Sequence, residues 1–352
     1  MKYLFYISKF YSITIIQPLI AYLDSREEDN DYLLLVSRKV FRKLKEEGIW
    51  QDKKITTLVE DGKIFDPDFC ISPGNYVDFR LPGIKVEIFH GIGIEKESHY
   101  EIRHFFDVYC TSGPVVTERF EELRKKYKYF LVRETGWPKM DYIMNYPKDN
   151  LLDSMLYPPD KKIILYAPTF SGKLQSGEDL LPEIPWLVRD NEIWLIKFHE
   201  FMDKTLVNSI RNNDNENIRI IDTYDITPYL HLADVMISDT SSVIYEFMAL
   251  DKPVVTYRTL KREDKGINIT DPKELRPALD RCLNDPCEYS KLRKGNLADV
   301  NPYLDGKITE RVFSALENII NNDELPKKKK PLNMFRKLRI LYHEKFRKGY
   351  LK

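Results

Sequence analysis

Three short stretches carry the side chains best suited to chemistry. The first is ADVMISDTSSVIYEFMALDKPVVTY, residues 233–257. VMIS reads as a buried strand running up to Asp239, and Thr240, Ser241 and Ser242 read as a turn. Ser241 or Thr240 can cap a helix that begins near Val243. A hydroxyl-rich turn at the carboxyl end of a strand, opening onto a helix N-terminus, suits a phosphate, because unpaired N–H groups and the helix dipole both favour an anion. Open α/β sheets bind ligands at that end of their strands. Glu246 lies one helical turn further on, placed to face a cleft or the helix start. An ordinary N-cap explains the same residues equally well.

The second stretch is EIFHGIGIEKE, residues 87–97, in which a strand runs into His90, Gly91 and Gly93. Histidine suits proton transfer near neutral pH, and glycines let a backbone approach a ligand closely. A structural histidine at a strand end is the competing account. The third is WLIKFHE, residues 194–200, where Lys197 and His199 stand two apart on an expected strand and so share a side. Such a pair suits a diphosphate leaving group, although a solvated strand edge has the same pattern. His104 and His231 read as structural, and His99 has no motif behind it.

These stretches sit within an alternation of apolar runs and helical patterns. KYLFYI, DYLLLV, KITTLV, DFCIS, KVEIFH, DVYCTS and YFLVRETG read as strands in the first part; KKIILYAPTF, EIWLIKFH, IRIID, ADVMISD and KPVVTY do so in the second. Near-continuous apolar strands separated by helices imply parallel sheets covered on both faces. The Pro-, Asn- and Asp-rich stretch from Trp137 to Asp160 reads as the linker. The expectation is α/β, GT-B-like, with two Rossmann-like parallel-sheet domains facing a cleft. Residues 1–140 would form one domain, 141–325 a second, and 326–352 a basic tail.

The chain has 352 residues, with 55 basic against 55 acidic, and this balance argues against a nucleic-acid partner. Four cysteines without a CxxC pair form neither a disulfide framework nor a zinc signature. No G-x-G-x-x-G follows the first strand and no G-x-x-x-x-G-K-S/T occurs, which removes most support for dinucleotide oxidoreductases and P-loop enzymes. No obligatory metal or other cofactor is expected. The N-terminal apolar run is broken by Lys9 and Gln17, short of the roughly 18 apolar residues a spanning helix needs. A cytoplasmic protein is expected. In the tail, Met334, Leu338 and Leu341 recur at helical spacing among Arg336, Lys337, Arg339, Lys345 and Arg347. A basic amphipathic helix of this kind suits an anionic membrane surface, reached through residues 327–352; packing on the protein itself is the alternative.

Asp239-Thr240-Ser241-Ser242, Glu246 and Asp251-Lys252-Pro253 resemble the D-x-S-S…E…KP signature of the CDP-glycerol glycerophosphotransferases, which build teichoic-acid-like phosphopolymers. His90-Gly91 resembles their H-G-T-x-x-K element, with Ile92 in place of Thr and Lys96 later than the expected lysine. Lys197-Phe198-His199 resembles their K-x-H element. GWPKMD at 136–141, YAPTF at 166–170 and NPYLDGK at 301–307 followed by Glu310-Arg311 resemble further family elements, while the first 85 residues match none. The resemblance implies a CDP-alditol donor, CDP-glycerol or CDP-ribitol, with 1–140 as the acceptor-side domain and 141–325 as the donor-binding domain. It makes His90 the base that activates an acceptor hydroxyl and His199 the group that neutralises charge on the donor diphosphate. Lys197, Thr169, Ser241, Ser242, Glu246, Asp239, Asp305 and Lys307 would surround the donor. It further implies a lipid-linked or polymer acceptor, cell-wall or capsule polymer synthesis, and a peripheral position at the inner face of the cell membrane. The competing functions are a GT-B glycosyltransferase using a nucleotide sugar and a non-catalytic assembly scaffold on the membrane.

Overall fold

The computed structural model describes residues 1–26, 30–147, 157–170, 174–199 and 201–347, with side chains in the last helix as far as Tyr342. Parts of the expected linker (148–156) and the last five residues of the tail lie outside the described residues. The chain forms two compact units. The first comprises Met1–Ile92, Glu97–Tyr142 and Val300–Lys352; the second comprises Gly93–Lys96 and Ile143–Asp299. Residues 300–325 therefore belong to the first unit, although they were expected in the donor domain.

The first unit holds a seven-stranded parallel sheet: β1 Lys2–Ile7, β2 Asp31–Val36, β3 Ile55–Thr56, β4 Phe69–Ser72, β5 Ile84–Glu87, β6 Val108–Thr111 and β7 Leu131–Glu134, in the order β3-β2-β1-β4-β5-β6-β7. Tyr3 to Ile7 are all buried, as a central strand covered on both faces requires. The helices Ile13–Asp24 and Ile308–Asn321 share a cover over β1: the Tyr22 ring stacks on Phe313 at 5.2 Å, and Tyr3 meets Phe313 edge-on at 5.0 Å. That packing returns the end of the chain to its beginning.

The second unit holds a six-stranded parallel sheet: β8 Lys162–Tyr166, β9 Glu192–Ile196, β10 Ile218–Ile220, β11 Val235–Ser238, β12 Val254–Tyr257 and β13 Ile267–Ile269. Its order, β10-β9-β8-β11-β12-β13, reverses direction between β8 and β11. The crevice outside the carboxyl ends of strands at such a reversal is where open α/β sheets take ligands.

Three local readings change. KITTLV forms a strand only over Ile55–Thr56, and Val59 starts a helix to Phe65. β5 ends at Glu87, so His90 lies three residues beyond the strand. β13 and the helix Ser290–Val300 have too little apolar periodicity to be read from sequence. The tail helix Met334–Arg347 forms as expected and rests on the first unit. Lys330 pairs with Asp107 at 2.8 Å, Asn333 donates to the Arg103 carbonyl at 2.8 Å, and Arg336 pairs with Glu101 at 2.7 Å. Phe335, Leu338 and Tyr342 stay exposed, Phe335 by 91%.

Candidate functional site

The carboxyl ends of the adjacent strands β9, β8 and β11 carry His199, Thr169 and the 239–242 turn respectively. Asp239 organises this region. Its fully buried carboxylate accepts the Thr169 N–H at 2.9 Å, the Ser176 N–H at 3.0 Å and the Ser176 hydroxyl at 2.9 Å. The Ser176 hydroxyl also meets Tyr166 Oη at 2.8 Å. Burial pushes the Asp239 carboxyl up to about 6, and the three donated hydrogen bonds and Lys96 work against that rise. Asp239 thus ties the loop after β8 to the turn after β11, and its oxygens are spent on protein donors. Ser176 was missed because nothing in its sequence neighbourhood distinguishes it from any loop serine.

The turn itself departs from expectation. Ser242 occupies the N-cap position of the helix Val243–Met248, but in the αR conformation (φ −67°, ψ −19°), and makes no side-chain cap bond. A capping hydroxyl needs an extended residue to fold back over the first turn, and neither Thr240 nor Ser241 supplies one. The buried Thr240 Oγ1 has no hydrogen-bond partner. Ser241 and Ser242 are half-buried. The helix is only six residues long, so its dipole adds little. Glu246 is buried within it, 5% exposed, which removes the possibility that it stands open to solvent.

The ring of His199 stacks on Phe170 at 4.1 Å, with Phe201 at 5.4 Å. Its Nδ1 accepts the Phe201 N–H at 3.2 Å, so in the neutral ring the proton resides on Nε2, a donor. Phe170 follows Thr169 directly, which links His199 to the Asp239 tie. β9 ends at Ile196, so the strand alternation expected to align Lys197 with His199 does not reach them. The Lys197 ammonium instead donates to the carbonyls of Ile221 and Thr223, beyond β10. Lys252 also serves the backbone: it donates to the carbonyls of Leu230, His231 and Ala233 at the end of the helix Thr227–Leu232, and burial pulls its ammonium down to about 8.

In the first unit His90 is exposed, with its ring 6.1 Å from that of Tyr11. Phe89, buried at φ +60°, turns the chain sharply just before it. The Phe89 carbonyl is held at 3.1 Å by the indole N–H of Trp137, whose own backbone N–H donates to Asn301 Oδ1 at 2.9 Å. Asp141 accepts the N–H groups of Ile308 and Thr309 at 2.9 and 2.6 Å, capping the helix Ile308–Asn321. Gly136 stands at φ +89°, where a Cβ would lie 2.7 Å from Ile308. The stretches 136–141 and 301–309 are thus one scaffold under the His90 loop. Asp305 and Lys307 belong to it: Asp305 is bound by Arg311, which holds its carboxyl down at about 2, and Lys307 is exposed. Both lie in the first unit, although the sequence placed them with the donor-binding residues.

His99, unmarked by any motif, has its ring 4.9 Å from Phe89 and 6.5 Å from Phe120. Burial, with a smaller contribution from neighbouring His90, pulls it down to about 3. The folded state therefore binds fewer protons than the unfolded chain between about pH 3 and the ordinary histidine value of 6.5, so His99 destabilises the fold as pH falls through that window. Imidazole NMR signals of His99 should not shift between pH 5 and 8; a midpoint near 6.5 would contradict its placement.

Among the described residues no group of three or more His, Cys, Asp or Glu could hold a metal ion, and no helix is long and apolar enough to cross a membrane. Two parallel-sheet α/β units, the second with its polar residues at the switch point, define a GT-B-like fold. Solved structures agree: the wall teichoic acid polymerase TagF matches with a TM-score of 0.65 at 16% identity, covering 92% of this chain and 90% of that one. Staphylococcus aureus MnaA bound to UDP matches with a TM-score of 0.68 at 16% identity, covering 94% and 99%. A family model, CDP-glycerol:poly(glycerophosphate) glycerophosphotransferase, matches residues 92–318, and the chain belongs to this family of transferases. The teichoic acid glycerol-phosphate primase of Bacillus subtilis is 27% identical over 63% of this chain and 61% of its own length. The ribitol-phosphate primase of Bacillus spizizenii is 30% identical over 51% and 52%, and that organism's poly(ribitol-phosphate) polymerase is 27% identical over 52% and 33%. The chain thus spans between a third and about three fifths of the length of these relatives.

Proposed function

We propose that this chain transfers glycerol phosphate or ribitol phosphate from the CDP-alditol to a hydroxyl of a lipid-linked or polymer acceptor, in teichoic-acid-like or capsule polymer synthesis. The observation that carries this reading is the set of hydroxyls of Thr169, Ser241 and Ser242 at the β8–β11 switch point, in a chain of this family. The acceptor oxygen attacks the β-phosphorus, its proton passes to His90, and the bond from the β-phosphorus to the bridging oxygen breaks, so that CMP leaves with that oxygen. His199, through Nε2–H, and the hydroxyls meet charge on the phosphoryl oxygens; this is catalysis by positioning and electrostatics. Lys197 adds positive field while it holds its carbonyls. Asp239 and Glu246 shape the donor side from within, and Asp305 and Lys307 act through the scaffold under His90. The exposed apolar side of the tail helix, beside Arg336, Lys337 and Arg339, lies on an anionic membrane at its inner face.

The test is release of CMP from CDP-glycerol and from CDP-ribitol in the presence of membranes or prenyl-diphosphate-linked acceptors. Acceptor-dependent CMP release from either donor is expected. Turnover of a nucleotide sugar in place of both would move the assignment to a glycosyltransferase, and folded protein inert with every donor would favour a scaffold.

A further inference from the structure

The loop Gly93–Lys96 follows His90 in sequence but belongs to the second unit. What holds it there is a buried ion pair. The Glu95 carboxylate, its side chain 6% exposed, accepts Lys265 Nζ at 3.0 Å and the Tyr245 hydroxyl at 2.6 Å. The Lys265 side chain is 1% exposed, and its ammonium sits 5.2 Å from the centre of the Tyr245 ring. Tyr245 lies on the helix that begins directly after the 239–242 turn. Lys265 is equally constrained, because a Cβ on the next residue, Gly266, would lie 2.0 Å from the Val254 carbonyl oxygen. Burying two charges is favourable only with close, fully paired geometry, and removing one partner strands the other. The loop is therefore fastened in one place. The next residue, Lys96, closes a turn onto the Gly93 carbonyl at 3.0 Å and is half-buried. No hydrogen bond or ion pair of its ammonium occurs among the described residues, yet its field reaches Asp239.

We propose that Glu95, latched by Lys265 and Tyr245, is a positioning residue that holds Lys96 beside the 239–242 turn, where its ammonium binds the diphosphate of the donor. The proposal rests on the donor site described above and adds a cation beside its hydroxyls. The competing account is a purely structural ion pair with Lys96 idle in solvent.

Calorimetric binding of CDP, with cytidine as the uncharged reference, separates the two. Lys96→Ala should weaken CDP by about tenfold, the worth of one charge-assisted contact, and leave cytidine unchanged. Lys96→Arg should keep most of the affinity. Glu95→Gln should weaken CDP similarly with Lys96 intact, and amide exchange in residues 93–96 should quicken. If that variant fails to fold, Lys96→Ala still decides, and the exchanged pair Glu95→Lys with Lys265→Glu should bind CDP more tightly than Glu95→Lys alone. Wild-type affinity for CDP in Lys96→Ala, or CDP bound no more tightly than cytidine by the native chain, would overturn the proposal. CMP release with undiminished CDP binding by the variants sinks the latch alone. Variant-sensitive CDP binding without CMP release from any CDP-alditol sinks the assigned reaction and leaves the latch standing.

Discussion

Replacing His90 with alanine should lower the rate of CMP release by about 10³-fold, within the roughly 10²–10⁴ that a positioned general base contributes. His90 is exposed, with its ring 6.1 Å from that of Tyr11, so its loss removes little packing. The melting temperature should stay within experimental error of the native chain, and CDP should bind with native affinity, because Thr169, His199, Ser241 and Ser242, proposed to hold the donor, belong to the second unit. A rate defect with intact stability and donor binding is what an acceptor-activating base requires. Native rates of CMP release in His90→Ala would remove histidine from the proton transfer and leave the acceptor hydroxyl without an assigned base. The scaffold variant Asn301→Ala makes a useful contrast: it frees the Trp137 N–H that Asn301 Oδ1 now accepts, so it should reduce stability and rate together.

The second large effect is expected at Asp239. Its replacement by alanine leaves the Thr169 N–H, the Ser176 N–H and the Ser176 hydroxyl buried without their acceptor. Each stranded donor costs about 1–3 kcal/mol, so destabilisation of about 3 kcal/mol or more is expected in denaturant unfolding. Donor binding should disappear as well, because the same carboxylate sets the backbone at Thr169 and at the hydroxyl turn. Asp239→Asn keeps one accepting oxygen but turns an NH₂ toward an N–H donor, so it should be destabilised nearly as much. If the amide variant were as stable as the native chain and bound CDP normally, the carboxylate would not be the tie between β8 and β11. The expected losses would instead mean that the Asp of the D-x-S-S pattern acts through the backbone it holds.

Much of this was legible from residues in order along the chain. The apolar runs of β1, β4, β8, β11 and β12 are nearly continuous because both faces of a central parallel strand are covered, and that pattern is local. The hydroxyl turn at 240–242, His90 and His199 could be proposed from sequence because chemistry needs particular side chains beside strand ends, and residue identity is what a sequence records. Family membership followed from the same residues.

What only the tertiary structure decided is which partner each polar group takes. Nothing local in the sequence shows that Lys197 and Lys252 spend their ammonium groups on backbone carbonyls. Asp305 and Lys307 stand late in the chain, beside donor-domain residues in sequence. They lie in the first unit because the helix Ile308–Asn321 buries its apolar side against β1, some three hundred residues away. Glu95, Ser176 and Lys265 carry no local signal, since a buried ion pair or a shared acceptor is defined by residues 63 to 170 positions apart. Periodicity and residue type are local properties and survive in the sequence; hydrogen-bond pairing and burial of charge are long-range, and exist only once the two sheets have formed.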